Sequence, residues 1–203
     1  ITDKRVLILG FGREGRSTLR RIVQAGAYAS LAVADQTDIS SSLNDPSIQV
    51  LYGDSYMDTL EDFDLVFKSP GIVLPRDPSE YCCQFTSQME VFFQAYRQQI
   101  IGITGTKGKS TVTTLLYHIL KESGHDTVLA GNIGIPAFDI LEDIHEGTRI
   151  ICELSCHQLE YIHISPHVAV LLNIHEEHLD HYGTMKNYIH AKQQIYLHQE
   201  EAD

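Results

Sequence analysis

The sequence predicts an α/β protein of mainly parallel strands, arranged as two successive units. Two observations predict it. Short apolar runs alternate with amphipathic stretches along all 203 residues, the pattern of strands joined by crossover helices. Two glycine-rich loops, at residues 10–15 and 102–108, each follow an apolar run and open an amphipathic one. Such loops are where parallel sheets hold their ligands.

Residues 5–9 (Arg-Val-Leu-Ile-Leu) read as a buried strand. A helix over 15–25 puts Leu19, Ile22 and Val23 on one face, and Gly26 is placed to cap it. Strands follow at 29–34, ending at Asp35, then at 48–52 and 65–67. After a stretch with Pro70, Pro75 and Pro78, a helix carries Met89, Phe92, Phe93 and Tyr96 at i, i+3, i+4, i+7, a core-facing stripe. Arg97-Gln98-Gln99 marks the boundary, because Ile100 starts a fresh strand–helix series. The expected domains are therefore 1–97 and 98–203. In the second, a strand at 100–104 leads through the glycine-rich loop to a helix with Val112, Leu115, Leu116, Ile119 and Leu120 on one face, ending at Gly124. Further strands are expected at 127–130, 149–154 and 168–172. A last helix over 184–199 aligns Met185, Ile189, Lys192 and Tyr196 in one stripe. The chain stops at Asp203, directly after that helix. A parallel sheet normally continues there, so the second domain is expected to be incomplete at its C-terminus.

Composition narrows the partners. Fifteen Lys and Arg face 27 Asp and Glu, a formal charge of −12, which argues against nucleic acid or an anionic membrane as the main partner. Any anionic ligand must then be held by local positive groups. No apolar run approaches the roughly 18 residues of a membrane span, and the N-terminal stretch is too short for a secretory signal. Cys82, Cys83, Cys152 and Cys156 form an adjacent pair and an i, i+4 pair, which fits neither a zinc site nor a disulfide scaffold. Reduced thiols in the cytoplasm are the expectation.

The strongest chemical signal is Gly102-Ile103-Thr104-Gly105-Thr106-Lys107-Gly108-Lys109-Ser110-Thr111, between strand and helix. Glycines let backbone amides turn inward around phosphate oxygens, and the helix N-terminus adds a favourable dipole. Lys109 can reach β- and γ-phosphates, and the Ser110 hydroxyl can ligate Mg²⁺. Ile103 takes the place of the usual first glycine, so the loop is a P-loop variant. At 10–15, Gly-Phe-Gly-Arg-Glu-Gly follows a strand, and Asp35 lies 20 residues after Gly15. This is the dinucleotide fingerprint, with the acid spaced for a ribose hydroxyl. It fits a nucleotide-linked substrate or a nicotinamide dinucleotide. The fold class is thus a Rossmann-like N-terminal domain followed by a P-loop α/β domain.

Three residues leave alternatives open. Glu153 ends a buried strand, and is either the Mg²⁺ partner of the phosphates or a solvated strand-end acid. His178, in His175-Glu176-Glu177-His178-Leu179-Asp180-His181, is a divalent-metal ligand or a loop histidine, since Leu179 breaks the H-E-x-x-H pattern. Lys192 sits on an apolar stripe. It either snorkels to solvent or is buried with a lowered pKa, free to act as a base, a Schiff-base amine or a carbamate carrier.

Together these residues resemble the Mur ligase family of ATP-dependent amide ligases of peptidoglycan precursor synthesis. The matching segments are 105–111, Gly131-Asn132-Ile133-Gly134, Glu153-Leu154-Ser155-Cys156-His157-Gln158-Leu159-Glu160 and Asn173-Ile174-His175-Glu176-Glu177-His178-Leu179-Asp180, in family order. Segments 105–111 and 153–160 are most similar to the member that adds D-glutamate to UDP-N-acetylmuramoyl-L-alanine. The resemblance implies that Gly105, Thr106, Lys107, Gly108, Lys109, Ser110 and Thr111 hold ATP, and that Ser110 and Glu153 hold one Mg²⁺. It implies a second Mg²⁺ held by His178 and by Lys192 as a carbamate, making Lys109, Glu153, His178 and Lys192 the catalytic set. Asn132, Ser155 and Gln158 match positions that contact the muramoyl substrate. Phe11, Gly12, Arg13, Glu14, Asp35, Thr37, Ser69, Pro70 and Gly71 match the grip on uridine diphosphate. The chain departs from the family at Thr37, often Arg, at Glu177, more usually Asp, and at His157, more often an aromatic. By the same resemblance, the family's C-terminal domain, which binds the incoming amino acid, is expected to be missing from these 203 residues. The 203-residue chain is therefore expected to bind the UDP-linked ligand without ligating. Other family members with different amino acids, or a non-catalytic nucleotide-binding module, stay open as alternatives.

Overall fold

The computed structural model describes residues 1–43 and 45–201, so the last two residues of the expected second domain lie outside the described residues. The chain divides into two compact units, Ile1–Gln88 and Met89–Asp203.

In the first unit, β1 (Arg5–Leu9), β2 (Ser30–Asp35), β3 (Gln49–Tyr52), β4 (Leu65–Lys68) and β5 (Gln84–Thr86) form one sheet in the order β3-β2-β1-β4-β5. All its pairings are parallel. Val6 to Leu9 of the central strand are wholly buried, which is why they read as a continuous apolar run rather than an alternating one. Leu7, Leu9, Ala32, Ala34, Leu60, Phe63 and Val66 pack as one core. The short strand β5 has no apolar run to announce it. Its pairing with β4 (Val66 opposite Phe85) creates it. Helix α1 (Arg13–Ala25) buries Leu19 and Ile22 as expected, but Val23 is 41% exposed. The start of α1 lies so close to β1's exit that a Cβ at Gly15 would sit 2.1 Å from the Gly10 carbonyl oxygen. Only glycine permits that approach.

In the second unit, β6 (Ile100–Thr104), β7 (Thr127–Gly131), β8 (Arg149–Glu153) and β9 (Val168–Leu171) pair in parallel in the order β7-β8-β6-β9. The helices are α2 (Gln88–Tyr96), α3 (Lys109–Glu122), α4 (Cys156–Leu159), α5 (Leu179–Tyr182) and α6 (Met185–Leu197). Met89, Phe92 and Phe93 of α2 pack with Ile100, Ile150, Leu154, Leu159 and Ile162. The helix that sequence spacing assigns to the first domain therefore shares the core of the second, and the division falls at Gln88/Met89 rather than at 97/98.

Two helical faces differ from expectation. In α3, Leu115 is 58% and Ile119 52% exposed, while Thr113 is buried and Val112, Leu116 and Leu120 are half-buried. The helix thus turns Thr113 inward and Leu115 and Ile119 outward. In α6 the buried face is Tyr188, Ala191, Lys192 and Ile195, not the stripe through Met185, Ile189 and Tyr196. Tyr188 and Ala191 pack on Cys156 and Tyr182, and Ile195 joins the main core. Among the described residues, no helix is long and apolar enough to cross a membrane, and all four cysteines are free thiols.

Candidate functional site

The loop joining β6 to α3 is fixed at its base, where the Thr104 hydroxyl donates to the Leu154 carbonyl across 2.8 Å. Lys109 opens α3 and folds back over the loop, donating to the carbonyls of Gly105 (2.9 Å) and Thr106 (3.0 Å). The Lys192 ammonium donates to the same Gly105 oxygen at 2.9 Å. Two lysines far apart in sequence thus share one acceptor, concentrating positive charge at a helix N-terminus, an arrangement suited to a polyphosphate. Ser110 and Thr111 are exposed in the first turn of α3.

The segment after β9 clasps this loop. The Thr106 amide donates to the Asn173 carbonyl at 3.0 Å. The Lys107 amide donates to Asn173 Oδ1 at 2.9 Å, and Asn173 Nδ2 returns a bond to the Lys107 carbonyl at 3.0 Å. Lys107 Nζ meets Glu177 Oε1 at 2.9 Å and holds that carboxyl below its ordinary range. The backbone amide of His175 donates to Thr106 Oγ1 at 2.9 Å, and that oxygen also lies 2.9 Å from the Tyr188 hydroxyl.

Lys192 does not snorkel. It is 1% exposed, and burial pulls its pKa down to about 8, with Lys109 pushing the same way against an opposing pull from Cys156. An unfolded lysine titrates near 10.4, so the folded chain binds fewer protons than the unfolded one between about pH 8 and 10.4, and stability rises with pH across that window. Below it the full penalty, about 3 kcal/mol, applies. Lys192→Met is expected to stabilise the second unit by about 2 kcal/mol at pH 7, after about 1 kcal/mol for the lost hydrogen bond. The advantage should fade toward pH 10. Urea denaturation of both proteins at pH 7, 8.5 and 10 checks this, and a pH-independent difference would refute it.

Glu153 ends β8 beside β6, paired with Ile103. It is 2% exposed, which removes the reading of a solvated strand-end acid. Its Oε1 accepts from Asn132 Nδ2 at 2.7 Å, while its Oε2 is buried with no hydrogen-bond partner. A buried carboxylate oxygen left unsatisfied is costly. A divalent cation would satisfy it, so the donor set fits Mg²⁺. Among the described residues no cluster of three or more His, Cys, Asp or Glu could hold a metal.

His178 caps α5 with a positive φ of 58°, unusual outside glycine. Its side chain is 43% exposed, with Nε2 3.7 Å from Glu177 Oε2. The ring meets His157 edge-on at 5.0 Å between centroids. Ser155 and Gln158 engage each other in a capping box that starts α4, each side chain bonded to the other's backbone amide. Both currently serve the local fold. Asn132, for its part, is committed to Glu153.

In the first unit, β1 and β4 leave the sheet side by side, and the Ser69 hydroxyl donates to the Gly10 carbonyl at 2.8 Å. Successive strands are added on opposite sides of β1, first β2 and β3, then β4 and β5, and such a switch point is the place where such sheets bind ligands. Phe11 is buried under the Arg16 guanidinium, which lies 4.5 Å from the ring centroid. Gly12 caps α1, and Arg13 and Glu14 form its first turn. Pro70 and Gly71 continue from Ser69. The acid spaced for a ribose hydroxyl has other partners. Asp35 accepts from the Phe11 amide (2.7 Å), the Thr37 amide (3.0 Å) and the Thr37 hydroxyl (2.9 Å). Burial raises its pKa, but the bonds from Thr37 and Phe11 outweigh that and hold it below the ordinary value. Asp35 and Thr37 thus tie the two loops of this end together.

Sequence spacing assigns no role to Asn173 or Tyr188. The signal for Tyr188 was present: it stands four residues before Lys192, on the same helical face. Asn173 opens one of the matching segments, but its role carries no spacing signal, because its grip on Lys107 exists only once β9 lies beside β6.

Residues 103–203 match the family "Mur ligase middle domain". Over its full length the chain is 34% identical to a UDP-N-acetylmuramoylalanine--D-glutamate ligase of Clostridium kluyveri and covers 46% of that protein. It is 36% identical to the ligase of the same name from Acetivibrio thermocellus, covering 45%. The chain therefore spans about half the length of the curated relatives it matches. The solved structure of a UDP-N-acetylmuramate:L-alanyl-gamma-D-glutamyl-meso-diaminopimelate ligase from Neisseria meningitides is similar in fold, with a TM-score of 0.53 at 17% identity, over 96% of this chain and 68% of that one. Residues 103–203 thus belong to the Mur ligase middle-domain family, and the whole chain is similar in sequence to Mur ligases.

Proposed function

We propose that the second unit binds Mg·ATP and the first binds UDP-N-acetylmuramoyl-L-alanine, as parts of a cytoplasmic ligase that joins D-glutamate to that acid in peptidoglycan precursor synthesis. The observation that carries the reading is the unsatisfied, buried Glu153 Oε2 beside a loop on which Lys109 and Lys192 converge. Gly105 to Thr111 would cradle the phosphates, with Lys109 turning from the loop carbonyls to the β- and γ-oxygens. Ser110 and Glu153 would hold one Mg²⁺, and His178 with a carbamylated Lys192 a second. Bound there, the ions neutralise the charge that builds on the transferring phosphoryl group. The muramoyl carboxylate oxygen attacks the γ-phosphorus and ADP leaves. The amine of D-glutamate then attacks the acyl carbon, phosphate departs and the amine loses a proton. The chain's own contribution is to orient reactants and counter negative charge. Asn132, Ser155 and Gln158 would orient the muramoyl group, while Phe11, Gly12, Arg13, Glu14, Asp35, Thr37 and Ser69 to Gly71 would hold the uridine nucleotide.

Calorimetric titration of the chain with Mg·ATP, with UDP-N-acetylmuramoyl-L-alanine and with NADH tests the reading. One site each is expected for the first two, the ATP site lost with EDTA, and none for NADH. Binding of NADH in place of the UDP compound, or ATP binding indifferent to Mg²⁺, would overturn it.

A further inference from the structure

Tyr188 is wholly buried yet carries a polar hydroxyl, and that hydroxyl is spent on the phosphate loop. A threonine hydroxyl has one proton and two lone pairs. On Thr106 the His175 amide takes one lone pair at 2.9 Å, and the His175 carbonyl lies 3.2 Å away to accept the proton. The Tyr188 O–H, 2.9 Å away, then donates into the remaining lone pair and completes the set. Burial pushes the phenol's pKa up, so it stays a donor. The same ring lies 4.9 Å from the Lys192 ammonium, a cation–π contact in a desolvated place. One side chain of α6 thus fixes a loop residue with its hydroxyl and roofs the second lysine with its face.

We propose that Tyr188 is a positioning residue of the phosphate loop, its phenol holding Thr106 so that the loop amides are preset for a triphosphate. The inference rests on the nucleotide-binding reading above and adds a residue to it. Tyr188 touches no nucleotide itself and works through Thr106. Losing the phenol leaves the Thr106 hydroxyl bonded only to His175, and the remaining ordering of the loop must then be met from binding energy.

The test is a double-mutant cycle on the 203-residue chain, with Mg·ATP affinity as readout and far-UV circular dichroism as the folding check. Tyr188→Phe, which keeps the ring over Lys192, is expected to weaken Mg·ATP binding about five- to tenfold, the worth of one hydrogen bond. Introduced into Thr106→Val, which lacks the hydroxyl, the same change should cost nothing further. Introduced into Thr106→Ser, it should cost the full factor again. Unchanged affinity of Tyr188→Phe, or a loss that is simply additive in the Thr106→Val background, overturns the proposal. Should Tyr188→Phe fail to fold, Thr106→Ser and Thr106→Val decide it alone: equal affinities for the two overturn it. A parent chain that binds no Mg·ATP brings down the nucleotide reading and this inference with it. A parent that binds while the cycle shows no coupling brings down only the inference.

Discussion

Gly131→Ala should be the most damaging small substitution in the second unit. Gly131 ends β7 with a φ of +92°, and a Cβ there would lie 2.2 Å from the Glu153 carbonyl oxygen and 3.1 Å from Cys152 Sγ. Neither neighbour can yield cheaply. The Glu153 carbonyl belongs to a paired strand and already accepts the Asn132 amide at 2.8 Å. Positive φ costs an L-residue roughly 1–2 kcal/mol, and forcing a methyl into filled space typically costs about 1–3 kcal/mol. The expected loss is therefore roughly 2–5 kcal/mol, a large fraction of a domain's 5–15 kcal/mol. Prying β7 from the end of β8 also displaces Asn132 and the Glu153 carboxylate it holds, so the Mg²⁺ requirement for ATP binding should weaken too. Urea denaturation gives the first quantity and calorimetry with and without Mg²⁺ the second. A variant within about 0.5 kcal/mol of the parent, the size of a neutral surface change, would show that the close approach at Gly131 is not rigid.

Lys109→Met should lower Mg·ATP affinity at least a hundredfold while leaving the fold intact. Lys109 is half-buried, and in the free chain its ammonium bonds two loop carbonyls beside the like charge of Lys192. One of these, Gly105, keeps Lys192 as a donor after the substitution. Structural cost is therefore small. Toward phosphate the same ammonium would make two charge-assisted bonds, each worth about 1.5–3 kcal/mol, and about 2.7 kcal/mol is already a hundredfold. Binding of the UDP compound to the first unit should be unchanged, which separates a lost contact from a lost fold. Retention of Mg·ATP affinity within tenfold would mean that the phosphates lie elsewhere than on this loop.

Local pattern made the strands and the two loops legible. Apolar runs at residues 5–9, 100–104 and 149–154 coincide with β1, β6 and β8 within a residue, because a strand buried on both faces needs unbroken apolar sequence. The glycines of both loops were informative for a local reason, since backbone that must turn or approach closely excludes a Cβ. Patterns were weaker on helical faces. Val112, Leu115, Leu116, Ile119 and Leu120 do share a side of α3, but Leu115 and Ile119 face outward. Spacing says which residues share a face and not which face is covered. Lys192 shows the same division: its place on an apolar face was legible, while its burial was left open, and its neighbours Tyr188, Ala191 and Ile195 were not those the stripe named.

By itself the sequence determined the α/β class, the two strand–glycine loop–helix junctions and the identity of the lysines, acid and histidine available for chemistry. Tertiary structure alone decided that Lys109 and Lys192, 83 residues apart, share the Gly105 carbonyl, and that Asn173 and Tyr188 clamp the loop from β9 and α6. It likewise decided that Asp35 is bonded to Phe11 and Thr37, and that one oxygen of Glu153 is left buried without a partner. The reason is physical. Backbone preferences and hydrophobic period act over a few residues, whereas these contacts exist only after strand order is set, and strand order is chosen by the summed packing of a whole sheet.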